Sequence, residues 1–324
     1  MRTRICDLLQ IEHPVVLGGM ASATNAALVA AVTNGGGLGI LGVTFLPPDQ
    51  QHAEIARIRE LTAGPFGLNH LLAFATEDRF AETLAARPRV VSTAWGWSDQ
   101  DLRPYFQRAH DAGSLVMHMV SGVPEAVRAV QSGADIIVAQ GTEGGGHVGW
   151  MGTMAVVPQV VRAVAPTPVI AAGGIADGSG LAAALALGAE GVLLGTRFLA
   201  TPEAPIPPSY KHAVLESDGH DTFLTEIADI ANGRVWPGAM SRVLRNRLIE
   251  RWAGREWEVR QRRNEVAAGL RAARERDDAA ELNLQMGQTA GLITAIVPAA
   301  QVVRDIVAEA ERIIRDRLTG LVRV

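Results

Sequence analysis

What most narrows the folds open to this chain is the alternation of two kinds of segment. Short apolar runs lie at Pro14–Leu17, Leu38–Gly42, Phe66–Leu71, Arg89–Thr93, Ser114–Met119, Asp135–Ala139, Pro168–Ala171 and Gly191–Leu194. Longer helix-like stretches separate them, at Thr24–Asn34, Pro48–Leu61, Glu77–Ala86, Asp99–Ala112, Pro124–Ser132, Val156–Val164 and Gly178–Leu187. Runs that are apolar throughout, rather than on alternate residues, suit strands buried on both faces and hence parallel pairing. Strand and helix in alternation make an α/β fold. Eight such units predict a (β/α)8 TIM barrel, with an open doubly wound sheet of five to seven strands as the alternative.

The eighth helix does not follow its strand directly. Residues 201–284 intervene, opening on the proline-rich turn Thr201–Pro208. An arginine-rich span from Met240 to Glu281 follows and reads as helical. Its arginines are offset by Glu250, Glu258, Glu265, Asp278 and others, as on a solvated helical face with pairs one turn apart. A basic lip that attracts an anionic substrate is the other reading. Trp252 and Trp257 are expected to pack this segment onto the barrel. Gln288–Ile293 then leads into a closing helix, Pro298–Arg317. The expected organisation is a barrel built from residues 1–200 and 285–324, with a mostly helical insertion, 201–284, lying as a lid over the strand ends.

Composition excludes several function classes. The net charge is −4, which gives no reason to expect nucleic acid or an acidic membrane surface as a partner. The single cysteine, Cys6, provides neither a disulfide framework nor a cysteine metal cluster, and no histidine pair has metal-ligand spacing. No apolar run approaches the ~18 residues that span a bilayer, and Asp7 and Glu12 interrupt any leader-like core. A soluble cytoplasmic protein is the expectation.

In such a barrel the chemistry collects at the carboxyl ends of the strands. Those ends are Gly18-Gly19-Met20, Asn69-His70, Thr93, His118, Gln140 through His147, Gly173-Gly174 through Gly178, and Gly195-Thr196. The last two, each followed by a helix, form an expected phosphate site: glycines let the backbone come close, N–H groups at a helix start donate, and Thr196 adds a hydroxyl. Gln140-Gly141-Thr142-Glu143-Gly144-Gly145-Gly146-His147 is the most distinctive stretch. Three successive glycines cost backbone entropy and make sense where main chain must approach a flat or phosphorylated ligand. His147 is the candidate catalytic group, and Glu143 is read as orienting its loop. His118 could touch the ligand's edge or the substrate. Gly37-Leu38-Gly39-Ile40-Leu41-Gly42 matches a dinucleotide fingerprint but forms a strand instead of opening a helix, so it is set aside.

At these residues the sequence resembles the nitronate monooxygenase family, whose fold and most motifs are shared with FMN-dependent enoyl-ACP reductases. The matching pieces include Gly19-Met20, Asn34–Gly39, Pro65–Asn69, Gln140–His147, Ala172–Ile175, Leu194–Phe198 and Gly287–Ile293. The resemblance implies FMN as cofactor. By it, Gly19, Met20 and Asn69 would line the isoalloxazine or ribityl chain. Gln140, Gly145 and Gly146 would lie beside the ring, and Gly173, Gly174, Gly195 and Thr196 would hold the phosphate. His147 matches the family's catalytic histidine, and Gln288 would approach the ring from the closing segment. Leu17, His70 and His118 depart from the usual residues. The implied reaction is oxidation of an alkyl nitronate by dioxygen to a carbonyl compound and nitrite. NAD(P)H-dependent reduction of an enoyl thioester or a quinone is the alternative. Oligomeric state is left open, a homodimer among the options.

Overall fold

The structure is a computed structural model and describes residues 1–321. In chain order the strands are β1 (Val15–Leu17), β2 (Gly39–Gly42), β3 (Phe66–Leu71), β4 (Val90–Ala94), β5 (Leu115–Val120), β6 (Ile136–Gln140), β7 (Gly146–Val148), β8 (Val169–Ala172), β9 (Gly191–Leu194), β10 (Thr222–Thr225) and β11 (Met240–Leu244). Eight of them pair in parallel in the order β1-β9-β8-β6-β5-β4-β3-β2. A parallel bridge from Val16 to Leu38 joins β1 to β2, so the sheet closes on itself as a (β/α)8 barrel. The doubly wound alternative is thereby excluded.

Strand side chains alternate between the lumen and the helix layer. Val16, Leu38, Ile40, Val90, Met117, Ile136, Val138, Ile170, Ala172 and Leu193 form the lumen core, plugged from below by Ile5, Cys6 and Leu9 of the short helix Arg4–Leu9. Val15, Leu17, Leu41, Leu68, Val91, Val116, Ile137, Ala171 and Val192 face outward against the helices. Each fully buried Leu, Ile or Phe stabilises by roughly 1.5–3 kcal/mol relative to exposure, so both shells hold the barrel together. The closing helix, Ala299–Arg312, packs between helices Ala26–Asn34 and Gly178–Ala186 and completes the outer ring.

The insertion contains more strand than the sequence predicts. Met240–Leu244 is β11 and not helix, and it pairs antiparallel with both β10 and β7. Short helices follow at Arg247–Trp252, Glu256–Gln261 and Arg263–Glu275. Trp252 is buried inside the insertion's own core, among Ile227, Val243, Leu248 and Ile249, and does not pack onto the barrel. Trp257 is exposed. Contact with the barrel is made instead by β11 pairing on β7 and by Leu282 and Leu284 in an apolar cluster with Ala176, Leu199, Ala200, Met286 and Ala290. Many of the arginines are paired: Arg247 and Arg251 with Glu281, Arg255 with Glu258, Arg262 with Glu265. These exposed pairs contribute little to stability, and they match the solvated-face reading.

Candidate active site at the barrel mouth

The glycine-rich stretch leaves β6 at Gln140 and returns as β7, so His147 stands on a short strand and not on a free loop. Ser241 of β11 is its register partner. Two glycines explain the path. A Cβ on Gly145 would lie 2.6 Å from the Gly287 nitrogen, and one on Gly173 would lie 2.5 Å from the Gly141 oxygen. Gly173 also sits at φ 82°, in the left-handed region. The loop is thus clamped between the end of β8 and the closing segment, where Gln288 N–H donates to the Glu143 carbonyl over 2.9 Å. Glu143 accepts from the Thr153 N–H and hydroxyl at 3.0 and 2.9 Å, tethering the loop to the start of helix Thr153–Val164. Arg242 of β11, almost fully buried, donates from Nε to the Thr142 carbonyl at 2.9 Å. Burial lowers its pKa from the ordinary guanidinium value, and Glu143 opposes that.

His147 Nε2 lies 3.0 Å from Asp229 Oδ2, and both side chains are largely shielded. Trp236 Nε1 donates to Asp229 Oδ1 at 2.9 Å. The indole stacks on the imidazole with ring centroids 3.3 Å apart and planes 12° apart. One carboxylate therefore holds both rings in register. Asp229, on the helix Ile227–Asn232, and Trp236 both come from the insertion, and neither is among the residues the sequence singles out. Their only signal is an acid and a tryptophan around a Gly-rich turn, Gly233 to Gly238.

The remaining predicted residues separate into those at the mouth and those elsewhere. Asn69 Nδ2 donates to the Gly19 carbonyl at 3.3 Å, and Asn69 Oδ1 accepts from Ser92 at 2.9 Å. Gln140 is buried, and among the described residues its Oε1 has no hydrogen-bond partner. Ala172 of β8 is opposite Leu193 of β9, so Gly173-Gly174 and Gly195-Thr196 leave the sheet side by side. Gly195 adjoins Met20, whose sulfur would stand 3.2 Å from an added Cβ. Gly146, at φ 73°, faces Gln285. Gln288 is exposed, anchored through its backbone.

Two expectations change. His118 does not face the mouth: it points outward into the helix layer, bonded through Nδ1 to Thr93 at 2.8 Å and packed on Phe106. It leaves the cofactor-binding set, because strand parity puts residues 116, 118 and 120 outside. Burial, aided by Arg128, pushes its pKa down to about 3. His70 faces the same layer, 2.7 Å from Thr83, with its pKa lowered to about 4 by burial and Arg79. Second, two of the first N–H groups of the helix starting at Gly178 are already bonded within the protein. Asp177 accepts from Gly180 and Glu309 accepts from Gly178, at 3.0 and 2.9 Å. The N–H groups of Gly174 and Gly195 have no acceptor among the described residues. Thr196 Oγ1 accepts from the Gly287 N–H at 2.9 Å, so its hydroxyl also ties down the closing segment while keeping its own hydrogen to donate.

The nitronate monooxygenase family profile matches residues 2–309. The chain belongs to the nitronate monooxygenase family. It is 39% identical to the (3aS,4S,5R,7aS)-5-hydroxy-7a-methyl-1-oxo-octahydro-1H-indene-4-carboxyl-CoA dehydrogenase of Mycobacterium tuberculosis, over 78% of this chain and 68% of that protein. FabK from Thermotoga maritima superposes with a TM-score of 0.89 at 37% identity, covering 99% of this chain and 100% of that one. Nitroalkane oxidase from Streptomyces ansochromogenes does so with a TM-score of 0.83 at 29% identity, covering 98% and 99%. The family makes the protein a flavin-using oxidoreductase with small-molecule substrates. Among the described residues no helix is long and apolar enough to cross a membrane, and no cluster of His, Cys, Asp or Glu is placed to hold a metal ion.

Proposed function

We propose that the chain uses FMN to oxidise nitronates with dioxygen, giving a carbonyl compound and nitrite. The residues at the mouth fit that cofactor. Gln140 Oε1 is a buried acceptor in need of a donor, and the free N–H groups of Gly174 and Gly195 suit a terminal phosphate. Gly19, Met20, Asn69, Gly145 and Gly146 would line the ring and ribityl chain, with Thr196 donating to the phosphate. Gln288 would close over the ring by a change of rotamer. When bound, the flavin would take up the substrate's electrons and hand them to dioxygen.

The observation that carries the reading is the state of His147. Its Nε2 is committed to Asp229 and one face is covered by Trp236, while among the described residues Nδ1 has no hydrogen-bond partner. With Nε2–H donated to the carboxylate, Nδ1 is the atom left for the substrate. Protonated, it donates to the anionic nitronate; neutral, it accepts the α-proton of a nitroalkane. The residues 201–284 act, in this reading, as a lid that also completes the site. Mixing with propane-2-nitronate in the absence of air is expected to bleach the flavin absorbance. His147→Ala should slow that bleaching by at least about 100-fold. A flavin that stays oxidised ends the proposal.

A second reading is chemistry at an acyl thioester, with NAD(P)H supplying electrons. The similarity to a carboxyl-CoA dehydrogenase favours it. Anaerobic bleaching by NADH or NADPH supports it; indifference to both removes it.

A further inference from the structure

Phe45, Phe74, Trp95 and Trp236 are four of the chain's seven phenylalanines and six tryptophans, and they meet at the mouth in one strip. The strip begins on His147. Trp236 stacks on the imidazole, Phe74 meets Trp236 edge-on at 5.0 Å, and Phe45 lies 5.8 Å beyond Phe74. Trp95 meets Trp236 from the side at 6.3 Å. Arg234 caps the far end, its guanidinium 4.1 Å above the Phe45 ring. The rings come from four separate places: the segments after β2, β3 and β4, and the insertion.

Core packing does not account for the strip. Every ring in it is half-buried, whereas Phe80, Phe106 and Phe198 in the core are sealed. Trp95 is held at φ 54°, a conformation that side-chain-bearing residues adopt only where their surroundings impose it. Partly exposed aromatic rings leading away from a reactive group are the kind of surface that flat apolar ligands pack against.

We propose that this strip is the substrate wall and selects nitronates that carry a planar ring system over short open-chain ones. The proposal rests on the reading above, in which His147 faces the reacting atoms. A short alkyl nitronate held at Nδ1 reaches Trp236 at most. A ring-bearing one continues along Phe74 toward Phe45.

Calorimetric titration of the FMN-loaded protein with 2-naphthoate and with hexanoate tests the wall apart from turnover, the carboxylate standing in for the nitronate group. Naphthoate is expected to bind at least tenfold tighter than hexanoate. Trp236→Ala should lower that ratio about tenfold, and Phe74→Leu, further from His147, should lower it severalfold. Equal affinities, or a ratio that neither variant changes, would overturn the proposal. In turnover, phenylmethanenitronate should exceed propane-2-nitronate in kcat/KM by tenfold or more. Equal rates sink the ring preference and leave nitronate oxidation standing. A binding preference with neither nitronate oxidised does the reverse.

Discussion

Asp229 decides what His147 is able to do. An imidazole at a barrel mouth has two nitrogens and a rotating ring; the carboxylate 3.0 Å away fixes the ring and assigns the Nε2 proton. Trp236 reinforces this by donating to the other carboxylate oxygen and lying flat on the ring. Asp229→Asn retains the shape but removes the charge facing an imidazolium. The expected result is a kcat for nitronate oxidation lower by roughly 10–100-fold, with a smaller change in KM. An unchanged kcat would show that Asp229 is a packing residue. Nothing local to residue 147 points to residue 229, 82 positions away.

At the scale of the strand, parity governs. Asn69 and His70 are neighbours on β3, yet one reaches the Gly19 carbonyl in the mouth and the other Thr83 in the helix layer. The same parity sends His118 outward to Thr93. Which residue faces the lumen is hard to read from sequence here, because strands buried on both faces show no alternation. The outward histidines carry a pH consequence. Their pKa values are lowered from 6.5 to about 4 for His70 and about 3 for His118. The unfolded chain therefore takes up protons that the folded chain refuses. Their stabilising neutral state is intact above pH 6.5 and is lost progressively as pH falls from there toward 4 and 3, amounting to a few kcal/mol per group. Thermal unfolding should show Tm falling across that window, and His118→Asn should make the slope shallower. An unaltered slope would mean that the buried imidazole does not drive the acid sensitivity.

For the molecule as a whole, β7 is the joint between barrel and insertion. It continues from barrel strand β6, yet its hydrogen bonds go to β11 of the insertion. Leu282 and Leu284 add a shared apolar cluster with Ala176, Leu199 and Met286. Barrel and insertion should therefore melt in one calorimetric transition. FMN at about 100 times its dissociation constant should raise the stability of that single transition by about 2.7 kcal/mol. Two transitions, only one of which moves with FMN, would show that the insertion is an independent unit.

Much of the plan was legible in the chain alone. Eight apolar runs separated by helical stretches specify a barrel, because burial on both faces and strand–helix alternation are local properties that composition records. The glycine stretch ending in His147, and the paired glycines after β8 and β9, mark the mouth for a similar reason: a backbone that must come close leaves glycine behind. Tertiary structure alone decided the rest. It turned His118 away from the mouth, occupied the Gly178 and Gly180 N–H groups with Glu309 and Asp177, made Met240–Leu244 a strand, and brought Asp229 and Trp236 to His147. Those outcomes depend on which distant segments meet across the closed sheet, and no local period or propensity encodes such meetings.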